Sequence, residues 1–257
     1  MPASKDEDET PARDAVLAEA DINAVQNADL IRRRRDQICD AALELFLEKG
    51  FASTTIRDIC ARSGVNQASI YDYIANKNDI LRRLLNRLWF RRDVTSLPER
   101  LKTRDRPLEA LLAAHFEESW NKKRKGTLLA YRSVPYLRRE DRQQMRAHDR
   151  ALIEEIAAAL RAGHGLAEGD PRVEVIANML IFLTAFAPMR DWLNAPEEGR
   201  VMRDTIAAGA AAMIRQLAAT PAPAPPPDGP HGGPDDGPHD GAQGGARSGA
   251  GEDPPGR

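Results

Sequence analysis

The apolar residues of this chain recur every three or four positions over most of residues 29–218, and this spacing constrains the fold more than any other feature. The period is clearest at Ile38, Ala41, Ala42, Leu45 and Phe46, which would share one face of a helix. An alternation of apolar and polar residues, the pattern of a half-buried strand, is not sustained anywhere in the sequence. The spacing therefore predicts an all-α protein.

Two zones at the ends of the chain lack this pattern. Residues 1–29 hold eight acidic residues and two basic ones, and residues 221–257 contain 20 Pro and Gly among 37 residues. Segments with so little apolar surface cannot offset the entropy that ordering costs. We expect a disordered acidic arm over residues 1–28 and a disordered Pro/Gly-rich tail over residues 219–257.

Charge is distributed unevenly between the zones. The net charge of the chain is −2, yet residues 31–92 hold thirteen basic and seven acidic residues, a net of +6. A basic block beside an acidic arm favours a polyanionic partner such as DNA. A solvated helix face would show the same charges, so composition alone leaves both interpretations open.

Several classes of protein are disfavoured by what the sequence lacks. The first ten residues show no apolar signal-peptide core, and the longest apolar stretch, residues 175–187, is shorter than the roughly 20 residues of a membrane span. We therefore expect a soluble, cytoplasmic protein without a membrane partner. Two cysteines make no disulfide framework, and His115, His148 and His164 lack companions at metal-binding spacing, so we expect no metal and no cofactor.

Residues 53–77 contain start and stop signals for short helices. Thr55 followed by Asp58 forms a capping box, and Gly64 permits a tight break after a second helix over about residues 56–62. A third helix over about residues 67–73 would follow, and a fourth would start after Asn76. Two short helices joined by a Gly-containing turn indicate a helix-turn-helix motif at about residues 55–74. An ordinary helical hairpin remains the alternative.

The third helix would turn a polar and aromatic face outward. Its inward positions are Val65, Ile70 and Ile74, which leaves small, amide, hydroxyl and aromatic groups on the outside. Such groups suit a DNA major groove, where an amide pairs with adenine, apolar groups touch the thymine methyl and hydroxyls reach phosphate. The outward residues are Gln67, Ala68, Ser69, Tyr71, Asp72 and Tyr73.

The run TTIRDICARSGVNQASIYDYIANKNDIL, residues 54–81, resembles the DNA-binding domain of the TetR/AcrR transcriptional regulators. It departs from the family at Ile74, where Phe is usual. The resemblance implies that Thr55 and Lys77 hold phosphates, that Arg57 reaches guanine or phosphate, and that Arg32 to Arg35 add phosphate contacts. It also implies base contacts from Gln67, Ala68 and Tyr71, and backbone contacts from Ser69 and Tyr73.

The same resemblance implies an architecture for the whole chain. A three-helix helix-turn-helix DNA-binding domain would occupy residues 29–92, and a helical ligand-binding and dimerisation bundle would occupy residues 93–218. Its last two helices would form a homodimer interface, to which the small residues 207–212 are suited. A repressor of this kind binds double-stranded operator DNA and leaves it when a small-molecule effector binds. The candidate effector-binding residues are Phe116, Trp120, Tyr131, Arg132, Phe182 and Phe186, although an aromatic residue at helical spacing belongs more often to a plain core than to a ligand site.

Two other classes of function compete with this interpretation. An enzyme is disfavoured because the sequence shows no Ser-His-Asp constellation, phosphate-binding Gly loop or HExxH motif. A helical interaction module that has lost DNA binding would share the fold. Salt-dependent binding to an operator fragment separates it from a regulator, because phosphate neutralisation gives a steep dependence on salt.

Overall fold

A computed structural model describes residues 17–22, 27–91, 93–103, 105–193 and 199–222 of the 257-residue chain. These ranges contain helices, turns and loops and no strand, which confirms the all-α prediction. The helices are α1 (Ala28–Lys49), α2 (Ile56–Ser63), α3 (Lys77–Leu88), α4 (Leu97–Thr103), α5 (Leu108–Lys122), α6 (Arg124–Ser133), α7 (Arg139–His164), α8 (Pro171–Met189) and α9 (Gly199–Ala219). The predicted tail lies outside the described residues from residue 223 onward.

Helices α1 to α3, together with the turns between them, form the part of the molecule that we call the head, residues 28–88. The apolar faces of the three helices meet around the fully buried side chains of Ile38, Phe46, Ile59, Ile70 and Leu84. Burying such side chains contributes roughly 1.5–3 kcal/mol each. The period seen in the sequence is therefore the period of a real core.

Residues 17–22 lie against the head rather than apart from it, so the expected disordered arm does not extend over them. The side chain of Leu17 is buried in the core of the head. Asn86 of α3 pairs with the backbone of Leu17 in both directions, through Oδ1 to the N–H and through Nδ2 to the carbonyl, each at 2.9 Å. Residues 1–16 and 23–26 of the predicted arm lie outside the described residues.

Helices α4 to α9 form the body, residues 97–219. Its core gathers buried side chains from α5, α7, α8 and α9, among them Phe116, Ile156, Leu180 and Ile214. Helix α8 is long and apolar enough to cross a membrane on length and composition alone. It packs against α5, α6, α7 and α9, as the central helix of a bundle does.

Head and body meet along α3 and α6. The two helices come so close at Gly126 that an added Cβ would lie 2.6 Å from the carbonyl oxygen of Leu88. A second tie is the ion pair of Arg82 with the buried Asp141 of α7, in which Nε donates to both carboxylate oxygens at 2.8 and 3.0 Å. Side chains of α6 and α7 complete the core of the head, so the junction is packed as an interior.

Candidate nucleic-acid interface

The start of α2 is fixed by the capping box that the sequence predicts. The Thr55 hydroxyl accepts from the Asp58 N–H at 3.1 Å, and the Asp58 carboxylate accepts from the Thr55 N–H at 2.8 Å. Lys49 donates to the same carboxylate, and these hydrogen bonds hold the pKa of Asp58 well below its usual range. Thr55 itself is exposed at the helix N-terminus, a position that favours anions.

The end of α2 is also set by local chemistry. Gly64 has a φ of 70° in the left-handed region, where a side chain would be strained, and its N–H closes the helix on the Cys60 carbonyl. Gln37 of α1 donates to the Ser63 carbonyl at 2.6 Å, which satisfies a second free carbonyl of the last turn. The chain is thereby turned sharply into the next segment.

We call residues 66–73 the recognition segment, and the structure corrects its predicted form. The sequence predicts a regular helix there, whereas the chain makes a turn over residues 67–69 and a 3-10 helix over Ile70–Asp72. The Asn66 side chain accepts from the Ala68 N–H at 2.9 Å, and the Ser69 hydroxyl donates to the Asn66 carbonyl at 3.2 Å. These local bonds compete with the α-helical ladder and favour the tighter turn.

The recognition segment nevertheless exposes most of the predicted face. Gln67 and Ala68 are exposed, and Tyr71 has 52% of its surface in solvent. Ser69 is half-buried, and Tyr73 packs in part against the core of the head. Three of the five candidate side chains on this segment are therefore free to meet a partner, and Tyr71 is the largest of them.

Two side chains anchor the far end of the recognition segment. Arg35 of α1 donates to the Tyr73 carbonyl at 2.8 Å and also reaches the carbonyl of Ile22. Asp79 of α3, which is only 1% exposed, accepts from the Ala75 N–H at 3.1 Å and from the Ala20 N–H at 2.9 Å. Each anchor thus joins the end of the recognition segment to residues 17–22, a connection that the sequence did not predict.

Lys77 has a different task from the phosphate contact expected of it. Its Nζ donates to the carbonyls of Phe51 and Thr54, both at 2.8 Å, and lies 4.4 Å from the centre of the Phe51 ring. Burial lowers the pKa of this ammonium. Because its donors already serve the turn between α1 and α2, the side chain clamps that turn, and we no longer assign it a phosphate.

Basic side chains around the recognition segment differ in how they are engaged. Arg57 and Arg33 are exposed, and neither makes an ion pair with any residue in the described ranges. Arg32 pairs with Asp29 at the surface, and Arg34 donates to Gln37. Arg57 lies in the first turn of α2, between the two residues of the capping box, and its charge is available to a partner.

The six predicted effector-binding residues are not brought together. Phe116 and Trp120 are buried and stacked on each other at 5.7 Å, and the Arg132 guanidinium donates to the Leu47 carbonyl at the end of α1. The ring of Tyr131 meets that of Trp89 edge to face. Phe182 is 53% exposed on α8, and Phe186 is half-buried.

A cavity of about 320 Å³ lies elsewhere in the body, and none of those six residues lines it. Its walls come from the link after α3 and from α4 to α8, and short polar side chains share them with apolar ones. The main lining residues are Trp89, Phe90, Arg91, Thr95, Ser96, Leu97, Glu99, His115, Ser119, Lys123, Thr127, His148, Asp149, Leu152, Ile156, Ile181 and Thr184. The only sequence signal for it is a set of single polar residues on otherwise apolar helix faces, such as His115 and Ser119.

Metal and thiol chemistry find no support in the described part of the chain. No three residues among His, Cys, Asp and Glu come together there as a metal site. Cys39 and Cys60 are buried and not disulfide-bonded, and burial raises the pKa of the Cys39 thiol to about 12. A thiol that stays protonated is a poor nucleophile.

Comparison with known proteins agrees with this geometry. Residues 38–84 match the family model of bacterial regulatory proteins of the tetR family. The HTH-type transcriptional regulator HbdR of Aromatoleum sp. (strain CIB) is 30% identical over 151 residues, which cover 58% of this chain and 66% of that protein. The HTH-type transcriptional repressor KstR2 of Mycobacterium tuberculosis is 33% identical over 58 residues, 23% of this chain and 29% of that protein.

The likeness in fold extends beyond the head. A bacterial regulatory protein in the tetR family from Rhodococcus RHA1 superposes with a TM-score of 0.57 at 17% sequence identity, covering 71% of this chain and 97% of that one. At this identity the match shows a shared fold and no shared ligand. Both the head and the helical body therefore have counterparts in solved structures.

Proposed function

Because the chain belongs to the TetR family of bacterial regulatory proteins, we propose that it is a sequence-specific DNA-binding transcriptional regulator, a repressor that a small molecule releases from its operator. The observation that carries the proposal is the recognition segment. It is anchored to α1 and α3 at its far end and presents Gln67, Ala68 and Tyr71 to solvent. A rigid backbone with an exposed polar and aromatic face is what groove recognition requires.

We assign roles to the candidate residues on this basis. Gln67, Ala68 and Tyr71 contact base edges, and Arg57 contacts the backbone beside the groove. The Thr55 hydroxyl donates to Asp58, so we assign Thr55 to fixing the start of α2 and not to a phosphate. Ser69 and Tyr73 are half-buried and shape the segment itself. We assign the chain no catalytic step and place it in the cytoplasm, where the operator lies.

A homodimer fits the exposed surface of the last two helices. Val175, Met179 and Phe182 form an exposed apolar row on α8, and Val201 is exposed on α9. Of the small residues 207–212, Ala207, Ala210 and Ala211 are buried inside the body, so they serve packing within the chain. Two copies would double the bases read on a pseudo-palindromic site. Sedimentation of Phe182→Glu, expected to be a monomer, checks this interface.

The cavity is suited to control of DNA binding by its position. Trp89, Phe90 and Arg91, which follow α3 directly, form part of its wall, while the rest belongs to the body. A ligand that fits one orientation of the head better than another shifts the population toward that orientation. The effector therefore acts on the link between head and body.

The deciding experiment is a footprint on the DNA flanking the gene of this protein, followed by titration of the protected fragment. We expect Tyr71→Ala to weaken operator binding about 10- to 100-fold, because a good base contact is worth roughly 1–3 kcal/mol. The melting temperature should not change. Tyr136→Ala, which removes an exposed tyrosine outside the recognition segment, is the matched control and should bind normally.

Equal binding by wild type and Tyr71→Ala would remove the recognition segment from the interface. Operator affinity should also fall steeply with salt. A protein that protects no fragment at low salt is an interaction module and not a regulator.

A further inference from the structure

Some polar side chains that line the cavity in the body have hydrogen-bond partners within the protein, and others do not. Arg91 is fully committed, since its Nε and Nη2 hold Asp93 at 2.6 and 2.5 Å and its Nη1 donates to the Lys122 carbonyl. Lys123 also has interactions within the protein. Glu99 accepts from the N–H and hydroxyl of Ser96. The cations that line the cavity therefore have little to offer an anionic ligand.

Two acceptors are in the opposite situation. The carboxylate of Asp149, on α7, is half-buried in the cavity wall and has no hydrogen bond or ion pair among the described residues. His115, on α5, is 7% exposed and its Nδ1 is buried with no hydrogen-bond partner in the described structure. A buried acceptor without a donor costs about 1–3 kcal/mol, and more when it is charged.

The protonation state of His115 follows from its surroundings. Burial lowers the pKa of the imidazole to about 3, so the ring is neutral. The backbone of Thr95 lies beside the ring, and Nδ1 has no hydrogen-bond partner in the described structure. A neutral imidazole has one acceptor nitrogen, and we assign that role to Nδ1. Nδ1 of His115 can therefore accept a hydrogen bond from a ligand.

Aromatic rings share the lining of the cavity with Asp149. Phe90 meets His148, the residue next to Asp149, edge to face at 4.8 Å, and Trp89 lines the same wall. Burial raises the pKa of Tyr131, and the nearby charge of Asp149 raises it further. A carboxylate among aromatic faces is the environment that stabilises an ammonium group, through charge pairing and cation–π attraction.

We infer that this cavity binds a small arylalkylamine. The ammonium group of the ligand lies against Asp149, and a hydroxyl or N–H on its aromatic ring donates to Nδ1 of His115. The inference rests on the proposed function, because it names the chemical class of the effector. The volume of about 320 Å³ is at the lower end of the range for ligand sites and limits the molecule to a single ring or a fused pair with a short side chain.

The test uses the full chain without DNA and three probes of nearly the same size, in calorimetric titrations at pH 7.5. Tyramine carries both donors, 2-phenylethylamine lacks the phenol, and 3-(4-hydroxyphenyl)propionate keeps the phenol and reverses the charge. We expect tyramine to bind most tightly, 2-phenylethylamine several-fold more weakly and the propionate at least about tenfold more weakly, since a hydrogen bond to a charged group is worth roughly 1.5–3 kcal/mol.

Asp149→Asn is the decisive variant. It should weaken tyramine at least about tenfold while leaving the melting temperature of the free protein equal or higher, because it removes a half-buried unpaired charge. Glu154→Gln is the matched control, since it removes one negative charge from an exposed position on the same helix and should bind tyramine like the wild type.

Three results would overturn the inference. These are a propionate that binds as well as tyramine, an Asp149→Asn variant that binds tyramine normally, and no binding of either amine at millimolar concentration. Operator release is measured separately. If tyramine binds through Asp149 but leaves operator affinity unchanged, the ligand class stands and the proposed release mechanism fails.

Discussion

Two acidic side chains, Asp79 in the head and Asp149 in the body, are held in opposite ways. In the head, Asp79 accepts from two backbone N–H groups and pairs with Arg83 at 3.2 Å. In the body, Asp149 has no partner among the described residues. The comparison teaches that a carboxylate with internal partners, as at Asp79, fixes a surface, whereas one without them in a cavity wall, as at Asp149, suits that wall to receive a molecule.

The largest effect on stability is expected from removing Asp79, the carboxylate of the head whose partners all lie within the protein. Asp79→Ala should lower the free energy of unfolding by about 3–5 kcal/mol, because it leaves two backbone donors without an acceptor and removes one of the two carboxylates that pair with Arg83. Urea denaturation measures this. Glu19→Gln is the control, since Glu19 pairs with the same Arg83 from a more exposed position and should matter by about 1 kcal/mol or less. Similar decreases in the free energy of unfolding in both variants would mean that the buried Asp79 contributes no more to stability than the exposed Glu19.

A smaller effect is expected where head and body touch. Gly126→Ala places a methyl 2.6 Å from the Leu88 carbonyl oxygen, and we expect a loss of about 2–3 kcal/mol as α3 and α6 separate. Gly209→Ala on α9 is the matched control. Nothing lies within 4 Å of that position, so alanine should stabilise the helix by up to about 1 kcal/mol. A Gly126→Ala protein as stable as the wild type would show that α3 and α6 can move apart without lowering the free energy of unfolding.

The smallest effect concerns the incomplete site in the body and depends on pH. Burial raises the pKa of Asp149 from 3.8 to about 6, so the folded protein keeps this proton to a higher pH than the unfolded chain does. The contribution of Asp149 to stability therefore falls as pH rises from about 4 to 6, and Asp149→Asn lacks this fall.

The melting temperature of Asp149→Asn should match that of the wild type at pH 4 and exceed it above pH 6. Because a pKa unit corresponds to about 1.4 kcal/mol and Asp149 keeps some contact with solvent, we expect a gain of about 1–2 kcal/mol. Melting curves from pH 4 to pH 8 test this. A constant difference at all pH values would mean that Asp149 is not the group that titrates.

The elements that sequence predicts correctly are those built from neighbouring residues. The capping box of Thr55 and Asp58 and the left-handed Gly64 each depend on contacts within a few positions, so their pattern is legible in the chain. The recognition segment was predicted as a regular helix because Ile70 and Ile74 have helical spacing. The bonds of Asn66 and Ser69 that tighten it into a 3-10 turn were not part of that pattern.

The features that sequence does not predict depend on distant partners. Lys77 faces inward because carbonyls of the turn after α1 lie within reach of its ammonium, 23 to 26 positions away. Residues 17–22 are held by α1 and α3, which no local pattern encodes. The sequence does not predict the cavity, because aromatic residues at helical spacing, such as Phe116, are buried in the core of the body. Ser, Thr and His residues that are scattered along the sequence line the cavity instead.

The close approach of α6 to α3 at Gly126 has a consequence for engineering hybrid regulators. If this body were fused to the head of another protein, α6 would pack against a helix with a different backbone position. The fit would suffer, since the contact at this point involves main-chain atoms of both helices. A hybrid that takes the stretch around Leu88 and the stretch around Gly126 from the same parent keeps that seam intact. The natural place to exchange specificity is therefore within residues 55–74, upstream of the seam.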